Sequence, residues 1–198
     1  MKTTLRELKE IFGVYSFDKL TSKLNTNDLN TEVSILEILN SNGIADVVWA
    51  LKTQDYKDYC LFNADVAESV LHIFEEKHPG DKRPRKLIEG IRLFHAGKIT
   101  SNELEILRMD AGAYVNNNYT SAFDTSAVSV YWTSYYAAYY NHNDVNAVYN
   151  SAYYATSASV YYAADTTTAA REKKWKEIEV MLRKFLKVNL LDDSLFVI

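Results

Sequence analysis

After Gly112 the chain runs to Ile198 through 86 residues without a glycine or a proline. A single helix of that length would span roughly 130 Å at about 1.5 Å per residue, which no compact domain holds. The breaks must therefore fall at polar clusters: Asn116–Asn118, Asn141–Asp144 and Asp165–Thr168. Their positions predict three helices, over about 120–140, 144–164 and 167–188.

The first half is punctuated more plainly. Thr4 can cap a helix over 5–12 that Gly13 ends, and residues 16–24 can add another turn or two. An Asn-rich loop (Asn25, Asn27, Asn30) follows, then a helical segment opening at Thr31 with Gly43 just past its end. Ile44–Lys52 reads as a short apolar helix. Asp55 opens a longer one that stops at His78-Pro79-Gly80. Asp81 is positioned as the N-cap of the next, with Pro84 in the first turn and Gly97 at the close. Thr100-Ser-Asn-Glu103 is a capping box, and Leu104, Leu107 and Met109 are the expected buried residues after it.

The residues after Gly112 are also unusual in kind. Twelve of the fifteen tyrosines lie between Tyr114 and Tyr162, and from 111 to 170 there is no Lys, Arg or Glu. Tyr131, Tyr135 and Tyr139 fall on one helical line and Trp132, Tyr136 and Tyr140 on the next, while Tyr149 and Tyr153 form another. Small residues such as Ser134, Ala137, Ala152 and Ala155 occupy the faces between. Two readings stand side by side. The rings can fill space between closely packed small-residue helices, or some can be exposed as an adaptable protein-binding face, because a ring gives contact area at small entropic cost. Segments 121–132 and 151–162 also resemble each other at an offset of 30, through biased composition or a duplicated helical hairpin unit.

Composition excludes several functions. A net charge of −4 offers no basic field for nucleic acid. One cysteine, Cys60, excludes a disulfide framework and a cysteine-only zinc site. No apolar run reaches membrane-spanning length and the N-terminus has no signal-peptide pattern, so a cytoplasmic protein is expected. Glu75-x-x-His78, and His72 with Glu76, are the only conceivable metal pairs, and the second Glu-x-x-His that a di-iron bundle needs is missing. No nucleophile elbow, phosphate loop or dinucleotide fingerprint occurs. The sequence does not read as an enzyme, and no cofactor is expected. The basic run Lys82, Arg83, Arg85, Lys86 either pairs with neighbouring carboxylates or meets an acidic partner.

The run from His78 to Glu103 resembles the signature of a bacterial immunity protein family, the all-helical "immunity five-like" domain of polymorphic toxin systems. The matching residues are Gly80, Asp81, Arg83, Pro84, Ile88, Glu89, Arg92, Gly97 and Glu103, with Arg171–Trp175 matching the start of the last helix and 49–60 more loosely. The resemblance covers about 44–188. It implies a protein that binds and neutralises a cognate toxin without catalysis. This chain departs from the family where 114–162 is Ala, Ser and Tyr rather than mostly Ala.

The expected fold is an all-α, single-domain helical bundle of about eight or nine helices spanning 1–198. Residues 1–43 are N-terminal helices, 44–188 the immunity-protein-like core, and 189–198 an apolar tail that docks. The last helix lays Trp175, Ile178, Leu182, Phe185 and Leu186 across the others. The expected partner-binding residues are Tyr131, Trp132, Tyr135, Tyr136, Tyr139, Tyr140, Tyr149 and Tyr153. The partner is a protein, a toxin in the first reading. Self-association of a scaffolding protein through the same face is the second reading, and a carboxylate–histidine metal enzyme the third.

Overall fold

The structure, a computed structural model, describes residues 1–118, 125–138, 147–162 and 168–193, with side chains placed for 1–112, 128–138, 149–158 and 168–186. Tyr139, Tyr140 and the apolar tail lie outside the described side chains. The described residues form an all-α bundle with one minute sheet. The order is β1 (Lys2–Thr4), α1 (Leu5–Ile11), α2 (Val14–Leu24), β2 (Glu32–Ser34), α3 (Ile35–Asn42), α4 (Ile44–Ala50), α5 (Tyr56–Lys77), α6 (Arg83–His95), α7 (Ser101–Asn118), α8 (Thr125–Ala137), α9 (Ala147–Tyr162) and α10 (Thr168–Asp193). That is ten helices among the described residues, four of them short ones within residues 1–50.

The N-terminal part corrects the expectation most. Residues 32–34 are a strand, and the cap of α3 is Ser34 rather than Thr31. Two three-residue strands pair antiparallel with Thr3 opposite Val33. Positions thirty apart do the same job. Thr4 and Ser34 each form a capping box with Glu7 and Glu37. Leu5 N donates to Thr31 O and Ile35 N donates to Met1 O, at 3.1 and 3.2 Å. Gly13 and Gly43 both N-cap the following helix, and Gly43 does so at φ +95°, where a side chain would be strained. The two βαα units are thus related by a local two-fold passing between Thr3 and Val33.

α5 is the central helix. Phe62, Val66, Val70, Ile73 and Phe74 are buried along it, and α6, α8, α9 and α10 pack around it. On α10, Ile178, Leu182 and Leu186 are buried and Trp175 and Phe185 pack at the edge, as the stripe predicts. The start of α6 differs by one residue. Lys82 is the cap position, while the Asp81 carboxylate accepts from Arg83 N at 3.0 Å. Gly97, at φ +67°, lets Lys98 N reach back to Leu93 O at 2.9 Å, the reversal that ends α6. Met109, expected in the core, is 60% exposed, because α7 turns Leu104 and Arg108 inward and Met109 falls on the opposite side.

Three capping glutamates share one electrostatic signature. Glu7, Glu37 and Glu103 accept from the backbone N–H of Thr4, Ser34 and Thr100, which holds each carboxyl below its usual pKa. A folded-state pKa below the unfolded value stabilises at higher pH. The contribution is complete above the unfolded value of about 4.3 and is lost as pH falls through the folded values. Thermal melts should therefore show stability falling below about pH 4.3, with a shallower fall when all three are changed to Gln. An unchanged slope in that triple variant would contradict this account.

Candidate functional site

Among the described residues, α8 and α9 form the most extensive helix pair. The end of α8 meets the start of α5, where Tyr56 donates to Ala137 O at 2.6 Å, and the start of α9 meets α4, where Tyr149 stacks on Trp49. Small residues are buried along both helices (Ser129, Thr133, Ser134, Ala137, Ser151, Ala152, Ala155 and Thr156), and Thr133 and Ser151 meet at the seam between them. The seam hydroxyls are satisfied in place. Thr133 donates to Ser129 O, Thr156 to Ala152 O, and Ser151 crosses the seam to Thr133 O at 3.1 Å. Of the two similar segments, 125–132 lies in α8 and 151–162 in α9, and 121–124 lie outside the described residues.

Small seam residues push the rings outward, where they join into a row. Trp49 stacks on Tyr149 with centroids 5.2 Å apart, and Tyr149 continues to Tyr153 at 6.1 Å and to Trp175 at 6.5 Å. Tyr153 meets Tyr154 edge-on at 5.5 Å. Tyr154 lies parallel to Tyr136 within 2° at 5.7 Å, and 28° from Trp132 at 6.1 Å. Trp132 meets Tyr135 edge-on at 5.4 Å. Cations sit on both ends: Lys52 Nζ is 3.5 Å over the Trp49 ring, and the Arg108 guanidinium carbon is 4.6 Å over the Tyr135 ring.

The row gathers Trp132, Tyr135, Tyr136, Tyr149 and Tyr153 of the expected face. Tyr153 is 41% exposed and the other four are half-buried. Tyr131 departs from it. It is 1% exposed, and burial raises its pKa, with Tyr135 adding to the shift. Gly112 of α7 lies against both rings: a Cβ there would stand in ordinary contact, 3.6 Å from the Tyr131 hydroxyl and 3.7 Å from the Tyr135 ring. Trp49, Tyr154 and Trp175 belong to the row although the helical lines did not single them out. Tyr154 earns its place by facing α8, a cross-helix relation that i, i+4 counting does not register.

The motif residues of 80–103 fasten helices. Arg83 pairs with Asp81, and Arg85 Nε donates to Glu75 at 2.6 Å with Lys82 Nζ 3.6 Å from the same carboxylate. These are the carboxylate pairings expected of the basic run, and the Arg85 guanidinium holds Glu75 below the usual range. Arg92 bridges to Asp65 and Glu68 on α5 at 2.9 and 2.7 Å. Pro84 is buried in the first turn of α6, Glu89 is exposed, and Gly80 borders open space. Thr100 and Glu103 complete their reciprocal cap at 2.7 and 3.2 Å.

Glu75 of the Glu-x-x-His pair is bound to Arg85. Among the described residues no three His, Cys, Asp or Glu are grouped to hold a metal ion. Cys60 Sγ lies 3.8 Å from His95 Nδ1, a neighbour brought by α6 that sequence proximity did not suggest. Burial nonetheless pushes the thiol up to about 12, so at neutral pH it is not a thiolate nucleophile.

A family model described as "Imm-5 like putative immunity protein" matches residues 50–181, more than half of the chain. It takes in α5 to α9, most of α10 and the whole ring row except Trp49, and leaves the two βαα units outside. Comparison with curated proteins and with solved structures returns no match.

Proposed function

We propose, because this chain belongs to the Imm-5-like immunity protein family, that it binds and neutralises a cognate toxin through the ring row of α8 and α9, with no catalytic step of its own. The observation that carries this reading is the row itself, a continuous surface of aromatic rings centred on the exposed Tyr153. Aromatic side chains lose little entropy on binding and are over-represented where interfaces concentrate their energy. Burying such a surface under a partner explains why a tyrosine so exposed stands there. No described helix is long and apolar enough to cross a membrane. We place the encounter in the cytoplasm of the cell that makes the toxin, within a polymorphic toxin system.

The test is protection and binding against the toxin encoded beside this protein. Tyr136→Ser with Tyr153→Ser should weaken the complex about thirtyfold or more and abolish protection of growth. Ile106→Ser with Met109→Ser, on the exposed side of α7, should leave both unchanged. A folded tyrosine variant that protects as well as the unaltered protein would sink the proposal.

A further inference from the structure

α10 is a basic helix on an acidic chain. From Thr168 to Leu186 it carries six Lys and Arg against three Glu, while the whole chain has a net charge of −4. A groove of about 820 Å³ runs along its flank. The lining extends from Ala169 to Met181, roughly 18 Å at about 1.5 Å per residue. Among the described residues, Ser69 of α5 is the only lining residue outside α10, and its hydroxyl is engaged by donating to Val66 O at 2.7 Å. A trough with so little opposite wall does not enclose a small ligand, which needs most of its surface covered. It suits the side of a peptide segment lying along the helix.

The groove is mostly carbon, from Val180, Met181 and the lysine stems, with ammonium groups spaced along it. Val180 is 67% exposed. Lys173 and Lys176 are exposed and make no ion pair among the described residues. Lys174 is 6% exposed, and of its three N–H donors Glu177 takes one, at 3.0 Å. A buried ammonium gains from further acceptors, and the one other carboxylate lining the groove, Glu172, is exposed and pairs with none of these lysines among the described residues. We propose that this groove binds an acidic, amphipathic peptide segment of a protein partner, its carboxylates on Lys173, Lys174 and Lys176 and its apolar side chains on Val180 and Met181. The contact is separate from the ring row and does not depend on the partner being a toxin.

The probe is a fluorescein-labelled helical peptide about twelve residues long, with Leu on one face and Glu on the other. Its anisotropy, followed during titration with the full chain at physiological salt, should rise saturably. The same peptide with Lys in place of Glu should give no saturable rise. The net charge of −4 favours that cationic peptide at long range, so preference for the acidic one must come from the groove. Lys173→Glu with Lys176→Glu should weaken the acidic peptide about tenfold or more. Lys9→Glu with Lys98→Glu makes the same change in net charge on exposed positions outside the groove and should leave affinity within about twofold. Tyr136→Ser with Tyr153→Ser, the ring-row variant, should also bind the peptide as the unaltered protein does. No saturable rise, an equal response to the Lys peptide, or full affinity in the Lys173/Lys176 variant would each overturn the proposal. Displacement of the peptide by decanoate, with the same dependence on Lys173 and Lys176, would assign the groove to a small anionic amphiphile and overturn it as well. Loss of peptide binding in the ring-row variant would place the contact on the row instead.

Discussion

Phe62→Ala is expected to cost about 3–5 kcal/mol and to lower the melting temperature by roughly 10 °C or more. Phe62 is 1% exposed on α5, and its ring faces Phe185 of α10 with centroids 6.2 Å apart. Removing it leaves a cavity where the central helix meets the one that closes the bundle. Rigid helices on both sides cannot collapse into such a space, so the loss includes a cavity penalty beyond the transfer of the ring from water. Phe62→Leu should recover most of it. Thermal unfolding followed by circular dichroism decides the matter, and an alanine variant melting within about 2 °C of the unaltered protein would contradict this packing.

The opposite error, too much volume, should be felt at Ala155. This residue is 0% exposed in the α8–α9 seam, beside the buried Ala152 and Thr156. Ala155→Leu forces three more carbons into a seam whose closeness depends on small side chains, at a cost of about 1–3 kcal/mol. It should also move the rings, because the seam sets the spacing between Trp132 and Tyr136 on one helix and Tyr154 on the other. The variant should therefore lose stability and show altered tryptophan fluorescence together. Tyr153→Leu, a change of comparable bulk on the exposed side, should leave the melting temperature nearly unchanged. Equal melting of the two variants would refute the role given to the seam.

What was legible in the sequence was local. The Thr100–Glu103 box, the stop at Gly97 and the break at His78-Pro79-Gly80 each depend on residues within one turn of each other, and each stands where its chemistry puts it. The strands were hidden because three residues such as Lys2–Thr4 carry no pattern of their own. They become a strand only against Glu32–Ser34. Counting along single helices found the tyrosine lines but not which rings face outward. Tyr131 and Tyr135 lie on one line, yet the first is buried and the second is half-buried at the rim, a difference set by the neighbouring helices rather than by spacing along α8. Tyr154 and the Cys60–His95 approach were out of reach for a related reason, since each is created by two helices meeting rather than by either alone.

The two-fold register of β1 and β2 has a consequence for how the chain finds itself. Thr3 faces Val33 and the flanking pairs exchange equivalent positions, so each strand presents the same edge to its mate. Nothing in the hydrogen-bond pattern tells the second unit of this molecule from the second unit of its neighbour. What favours the internal pairing is proximity: the short connection from Asn25 to Thr31 holds one copy at high effective concentration beside the other. At high protein concentration, or with that connection lengthened, the same register would accept a strand from another molecule, and swapped dimers joined through their N-terminal units would compete with the monomer.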